Sequence, residues 1–203
     1  MRLYSYVVAR DFGFAPNPFY GYCTLATCKP KIRGNAGKED WIVGTGSKGY
    51  DLDGHLVFAM RITEAMSFDE YWLDPRFAHK QPNLHGSFKQ AYGDNIYHHD
   101  ANDKWLQEDS HHSLKDGSRN PANVTHDTSS PRVLISDDFA YWGGSGPIIP
   151  TELRNFDNDK SICAVRGHRV NFPDEIVRAF ITWFRSLDQS GYIAAPREWT
   201  SPR

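Results

Sequence analysis

The chain has 203 residues, 39% of them apolar and 14% aromatic, with a formal charge of −2. That length suits one sizeable core with some decoration. No run approaches the ~18 apolar residues of a membrane span, and near-neutrality argues against a surface that wraps a polyanion on a broad front. Charge is nevertheless uneven, with seven Lys/Arg against three Asp/Glu in residues 1–50 and ten against eighteen in residues 51–160. Met1-Arg2 leads straight into a strand pattern with no signal peptide, and three cysteines are an odd number, so a reduced, cytoplasmic protein is expected.

Leu3–Arg10 (LYSYVVAR), rich in Tyr and Val, reads as a strand. The stretch Arg10–Arg33 follows. Gly13, Gly21, Pro16, Pro18 and Pro30 break regular structure there, while Phe12, Phe14, Phe19, Tyr20 and Tyr22 make it aromatic. Any one of these rings suits core equally well. Together, in a loop this long, they read as one wall of a small-molecule or nucleobase pocket. A helical turn is expected near Leu25–Cys28, ended by Pro30. Trp41–Gly46 reads as a strand forming the pocket floor, Lys48–Gly54 as a hairpin connection and Leu56–Thr63 as a third strand. Ser67-Phe-Asp-Glu70 is a capping box opening a helix over Phe68–Leu73, which ends before Pro75.

Residues 76–130 are polar and rich in Asn, Asp, His, Gly and Ser. Some fifty residues without a period read as a lid across the pocket or as a partly disordered insertion, and Tyr92, Tyr97 and Trp105 favour the lid. Strands are expected again at Pro131–Ser136 and Phe139–Gly144, and a short helix near Thr151. In Pro173–Leu187, Pro173 fits a first helical position, and Asp174 and Glu175 suit the positive end. Ile176, Val177, Phe180, Ile181, Phe184 and Leu187 define one apolar face of that helix. The tail from Ala194, with Pro196 and Pro202, reads as frayed. The sum is a single α+β domain whose curved, mainly antiparallel sheet closes toward a small barrel, with flanking helices and an irregular insertion.

The aromatic loop offers stacking, worth about 1–3 kcal/mol per base. Asn17, Thr24 and Ser47 are candidate readers of a base edge, Arg10, Lys29 and Lys31 candidate phosphate contacts, and Trp41 and Trp142 further aromatic walls. Eight of nine histidines lie in residues 51–160, including the pairs His98-His99 and His111-His112. Imidazole beside carboxylate moves protons near neutral pH. Adjacent strand residues face opposite sides, so one of each pair faces a shared site. His99, His112 and Asp94 are therefore the catalytic candidates, with Asn95, Tyr97 and Gln107 beside them on the lid as ligand contacts. Solvated loop histidines are the plainer reading. The spacing matches no zinc pattern, and Cys23, Cys28 and Cys163 read as core filler ahead of metal ligands. Gly44-Thr45-Gly46-Ser47 lacks the Lys-Ser/Thr of a phosphate loop and reads as a tight bend. No cofactor is assigned.

The opening strand, APNPFYGYCTLATCKPKIR, DWIVGTGS, QEDSHHSLKDG and VLISDDFAYWG resemble the second of the nucleotide modification associated domain families. Those are prokaryotic and phage proteins found near base-modification and defence genes. The resemblance implies such a setting but supplies no catalytic residue. The order strand, long loop, strand, then strand into helix also resembles the PUA-like group (EVE, ASCH and YTH domains), small barrels that read an extruded base. That likeness implies a cleft lined by Asp11–Lys31 and Gly44–Ser47, although fold analogy alone does not establish function. The expected function is binding of a nucleotide, or of an extruded, modified base of DNA or RNA, away from membranes. A nucleotide-directed hydrolase or transferase using the His/Asp-rich lid is one alternative. A module that binds a protein partner from a modification system is another.

Overall fold

A computed structural model describes residues 1–157 and 160–199. In chain order the strands are β1 (Leu3–Val7), β2 (Cys23–Leu25), β3 (Trp41–Thr45), β4 (Leu56–Arg61), β5 (Glu64–Ser67), β6 (Tyr97–His99), β7 (Trp105–Gln107), β8 (Arg132–Ser136), β9 (Asp138–Tyr141), β10 (His168–Arg169) and β11 (Gly191–Tyr192). The α-helices are α1 (Pro30–Asn35), α2 (Phe68–Leu73), α3 (Phe88–Ala91), α4 (Pro121–Thr128), α5 (Thr151–Arg154) and α6 (Asp174–Ser186).

Six strands form a mixed sheet ordered β10-β1-β3-β4-β9-β11. β1 and β3 run parallel from Leu3↔Trp41 to Val7↔Thr45, and β9 and β11 are also parallel. A parallel pair needs a long crossover, and the aromatic segment between β1 and β3 supplies it. A second, antiparallel sheet is ordered β2-β8-β5. The chain passes from one sheet to the other at β4–β5 and again at β8–β9, where the Thr63 amide donates to the Ile135 carbonyl at 3.0 Å. The sheets share this bent corner but do not close into a barrel; antiparallel pairings predominate, with β1–β3 and β9–β11 the two parallel ones. Its edge strands β10 and β11 are two residues each, too short to template further pairing.

Alternation along the strands sorts side chains into layers. Tyr4, Tyr6, Ile42, Phe58 and Met60 meet Cys23, Leu25 and Leu134 of the second sheet and Ile32 of α1. Leu3, Trp41, Val43, Ala140 and Trp142 point the other way, against Val177, Phe180 and Phe184 of α6. Gly44 is required within β3, because a Cβ there would lie 2.2 Å from the Phe58 ring. A third cluster joins Phe68 and Tyr71 of α2, Phe77, Tyr92, Ile96, Tyr97 and Val124 to the outer face of β8. The polar stretch 76–130 is thereby anchored as a packed layer.

The capping box of α2 forms as its sequence dictates. The Glu70 amide donates to Ser67 Oγ at 3.2 Å, and the Ser67 amide to Glu70 Oε2 at 2.7 Å. Three local expectations are revised. Leu25 ends a strand rather than starting a turn, and Pro30 opens α1 instead of stopping a helix, because the missing N–H of proline is harmless at a first position. The segment from Ala194 is packed up to Trp199, whose indole donates to the Phe12 carbonyl at 2.8 Å and stacks on Phe88 at 5.3 Å. No helix among the described residues is long and apolar enough to cross a membrane.

Candidate active site

The turn between β2 and α1 is unusual in its backbone. Cys28 (φ +54°) and Lys29 (φ +44°) are consecutive non-glycine residues in the left-handed region, a conformation worth about 1–3 kcal/mol of strain per residue that persists only where surroundings enforce it. Arg33 of α1 is the enforcing group. Its fully buried guanidinium donates to the carbonyls of Cys28 (2.9 Å), Ser130 (3.0 Å), Arg132 (2.7 Å) and Asp127, and lies 5.3 Å from the Phe68 ring centre. One side chain thus binds the Cys28 turn to the end of α4 and the start of β8. Burial pulls its pKa down to about 10, against the pull of the Asp127 carboxylate, so it stays a cation at neutral pH.

Asp127, near the end of α4, is fully buried and saturated with donors. Its Oδ1 accepts from the Cys28 amide (2.8 Å) and sits 3.0 Å from His126 Nδ1. Its Oδ2 accepts from the Tyr97 hydroxyl (2.9 Å) and lies 2.8 Å from His112 Nδ1. A carboxylate only accepts, so His112 presents N–H at Nδ1 and turns Nε2 toward Cys28 Sγ, 3.7 Å away. Gln107 (3.2 Å) and Asn123 (2.8 Å) donate to the His112 carbonyl and fix the loop that carries it. Burial opposes charge on His112, but the bonds to Asp127 and Cys28 outweigh it and carry the pKa up to about 9. Burial likewise opposes charge on Asp127, whose pKa is nevertheless held below the usual carboxylate range by His112, His126 and Tyr97. Sulfur, imidazole and carboxylate are in the order of a nucleophile, its base and the group that orients the base.

Two clefts share Cys28 and Lys29 in their walls. A narrow one of ≈ 290 Å³ is lined by Tyr6, Arg10, Phe12, Phe14, His111 and Cys28. Phe14 lies 4.7 Å from the His112 ring centre, Phe12 4.5 Å from that of His111, and the Arg10 guanidinium 5.1 Å from that of Phe12. Phe14 is buried and Phe12 half-buried, so the aromatic segment is part core and part wall. A second, wide cleft of ≈ 950 Å³ is lined by Lys31, Ile32, Ser130 and Arg132 together with Cys28 and Lys29.

Of the residues singled out in the sequence, Arg10, Lys29, Lys31, Tyr97, Gln107 and His112 gather in or around this site. Asn17, Thr24, Asp94 and Asn95 form a separate buried network with Tyr71 and Lys80. Lys80 Nζ donates to Asn17 Oδ1 (2.6 Å) and Thr24 Oγ1 (3.1 Å), while Thr24 and Tyr71 donate to Asp94 at 2.7 and 2.8 Å. The Asn95 amide donates to the Tyr71 carbonyl at 2.9 Å. Burial moves both charges of that network toward neutrality, with Lys80 down to about 8 and Asp94 up. His99 pairs with Asp69 at 2.8 Å, its ring 3.7 Å from that of Trp105, away from the thiol. Trp41 and Trp142 fill the layer under α6, on the sheet face opposite the aromatic segment. Ser47 lies on a third cleft of ≈ 460 Å³ with Lys48, Arg154 and Arg169. Cys28, Asp127 and Arg33 were not singled out as members of a site. The available signals were a thiol two residues before a helix-opening proline and the Asn120-Pro121 start of α4, where Asn120 Oδ1 accepts from the Ala122 amide at 3.2 Å.

The family this architecture represents follows from comparison of the whole sequence. The chain belongs to the family described as nucleotide modification associated domain 2, whose profile matches residues 1–203. That places it with nucleic-acid modification systems. Neither the curated proteins nor the solved structures contain a match to it.

Proposed function

We propose that this chain is a thiol-dependent acyl-transfer enzyme acting on a nucleotide or base within a nucleic-acid modification system. The observation that carries the reading is the alignment of Cys28 Sγ, the His112 ring and the Asp127 carboxylate beside an aromatic cleft. Held by Asp127, His112 carries both ring protons at neutral pH, so Cys28 attacks a carbonyl carbon as its thiolate beside the imidazolium. The imidazolium gives its Nε2 proton to the leaving group, and water or an amine, deprotonated by the now neutral ring, resolves the thioester. At ≈ 290 Å³ the narrow cleft is near the lower end of small-molecule sites, about 300 Å³. It suits one flat ring, stacked on Phe12, Phe14 or His111, with Arg10 and Lys29 placed for phosphate. Base recognition and catalysis then become two halves of one site, and the Lys80–Asp94 network is its framework.

Cys28, His112 and Asp127 also bring three metal-ligating atoms within 4.8 Å of one another. Both ring nitrogens of His112 are engaged, however, and Asp127 already has four partners. A cation would have to displace one of these bonds, so the donor set fits a proton relay better than a metal.

The test is the rate at which iodoacetamide alkylates each cysteine, read by peptide mass spectrometry. Cys28 should react fastest of Cys23, Cys28 and Cys163, and His112→Ala should slow it at least ~10-fold. Equal reactivity of Cys28 and Cys163, or indifference to His112→Ala, would sink the proposal.

A further inference from the structure

We infer that the wide cleft is the site of a phosphate-bearing acyl donor, so that the protein works as a two-site transferase whose donor and acceptor clefts share Cys28. This rests on the thiol reading above and adds the donor class. A hydrolase needs one organic site and a water, whereas here Cys28 and Lys29 belong to the walls of two clefts of very different character.

The wide cleft combines an apolar floor, Pro30, Ile32 and Pro131, with the cations Lys29, Lys31 and Arg132, and no carboxylate is among the described residues that line it. In a chain of net charge −2, that combination selects an anion with an apolar portion. Ser130 adds an independent sign. It is 4% exposed, lines the cleft, and its hydroxyl has no hydrogen-bond partner. Buried hydroxyls are nearly always paired, and a ligand oxygen in the cleft would complete this one. At ≈ 950 Å³ the cleft is near the upper end of small-molecule sites, about 1,000 Å³. It holds a nucleotide-sized carrier where the narrow cleft holds one ring.

The chemistry balances without any further reactant. The Cys28 thiolate bonds the acyl carbon of the donor, and the bond from that carbon to the carrier breaks. The carrier takes the Nε2 proton of the His112 imidazolium and leaves the wide cleft. An exocyclic amine of a base in the narrow cleft then attacks the thioester. The C–N bond forms, the S–C bond breaks, and the neutral His112 ring takes up the amine proton, which restores the imidazolium beside the thiolate.

The probes are acetyl-CoA, whose carrier bears phosphates, and S-acetyl-N-acetylcysteamine, the same thioester without them. Intact-mass spectrometry of the whole protein follows acetylation of Cys28. Wild type should react at least ~10-fold faster with acetyl-CoA. Lys31→Gln with Arg132→Gln should remove that difference and leave iodoacetamide alkylation unchanged. Gly34→Trp is an uncharged check. Gly34 lines the wide cleft and a Cβ there meets only Ser130, at 3.6 Å, so a bulky side chain at this position should obstruct the cleft and slow acetyl-CoA alone. Equal rates for the two thioesters, including no reaction with either, or indifference to the charge changes, would overturn the donor site. Loss of His112-dependent alkylation would instead overturn the thiol reading beneath it.

Discussion

Asp127→Asn isolates the electrostatics of the site. Asparagine keeps the size of the side chain and an oxygen for the Cys28 amide, but it offers His112 Nδ1 an amide where a carboxylate stood. In the native site His112 is raised from 6.5 to about 9 although it is mostly buried, which corresponds to about 3 kcal/mol of preference for the imidazolium. With the carboxylate gone, only Cys28 is left to oppose burial, and the His112 pKa should fall well below about 9. The assay is the pH titration of the His112 ring by NMR, alongside urea unfolding from pH 5.5 to 9.5. A group whose pKa is raised by folding stabilises fully below its unfolded value and loses that contribution as pH climbs through the folded one. Wild type should therefore lose up to about 3 kcal/mol between pH 6.5 and about 9 from this residue, and Asp127→Asn should lack that slope. A wild-type ring that titrates near 6.5, or the same midpoint in Asp127→Asn, would refute the account of how Asp127 acts on His112.

Arg33→Met removes donors to four buried carbonyls at about 1 kcal/mol each, so urea unfolding should show a loss of roughly 3–4 kcal/mol; a loss under about 1 kcal/mol would deny Arg33 its tethering role. Lys80→Met leaves Asp94 buried beside hydroxyls alone and should lower stability by about 3–5 kcal/mol, whereas Lys80→Met with Asp94→Leu should recover part of that. No recovery in the double variant would show that the two charges do not depend on each other. Trp199→Ala frees the Phe12 carbonyl, and hydrogen exchange should accelerate at residues 11–14 while β3 and β4 stay protected. Uniform acceleration across the sheet would mean that the indole supports the whole fold rather than the cleft wall.

Short-range signals were legible in the sequence. Ser67 and Glu70 cap α2, and the spacing of Val177, Phe180 and Phe184 fixes the buried face of α6. The aromatic segment announced a wall, and Phe12 and Phe14 line a cleft. What the sequence hid was pairing across distance. Whether Trp41 faces the aromatic segment or α6 depends on strand register, which the parallel β1–β3 match sets only once the crossover has folded. Asp94 was picked out for its chemistry, yet Lys80 and Thr24 draw it into the interior. Cys28 looked like filler because its partners, His112 and Asp127, are 84 and 99 residues away.

The Arg33 clamp has a consequence for the life of the chain. It joins segments 94 to 99 residues apart. While the polypeptide emerges from the ribosome, Cys28 is made 84 residues before His112 and 99 before Asp127. The turn that holds the sulfur can therefore be locked only after synthesis has passed Arg132, when α4 and the start of β8 reach the guanidinium.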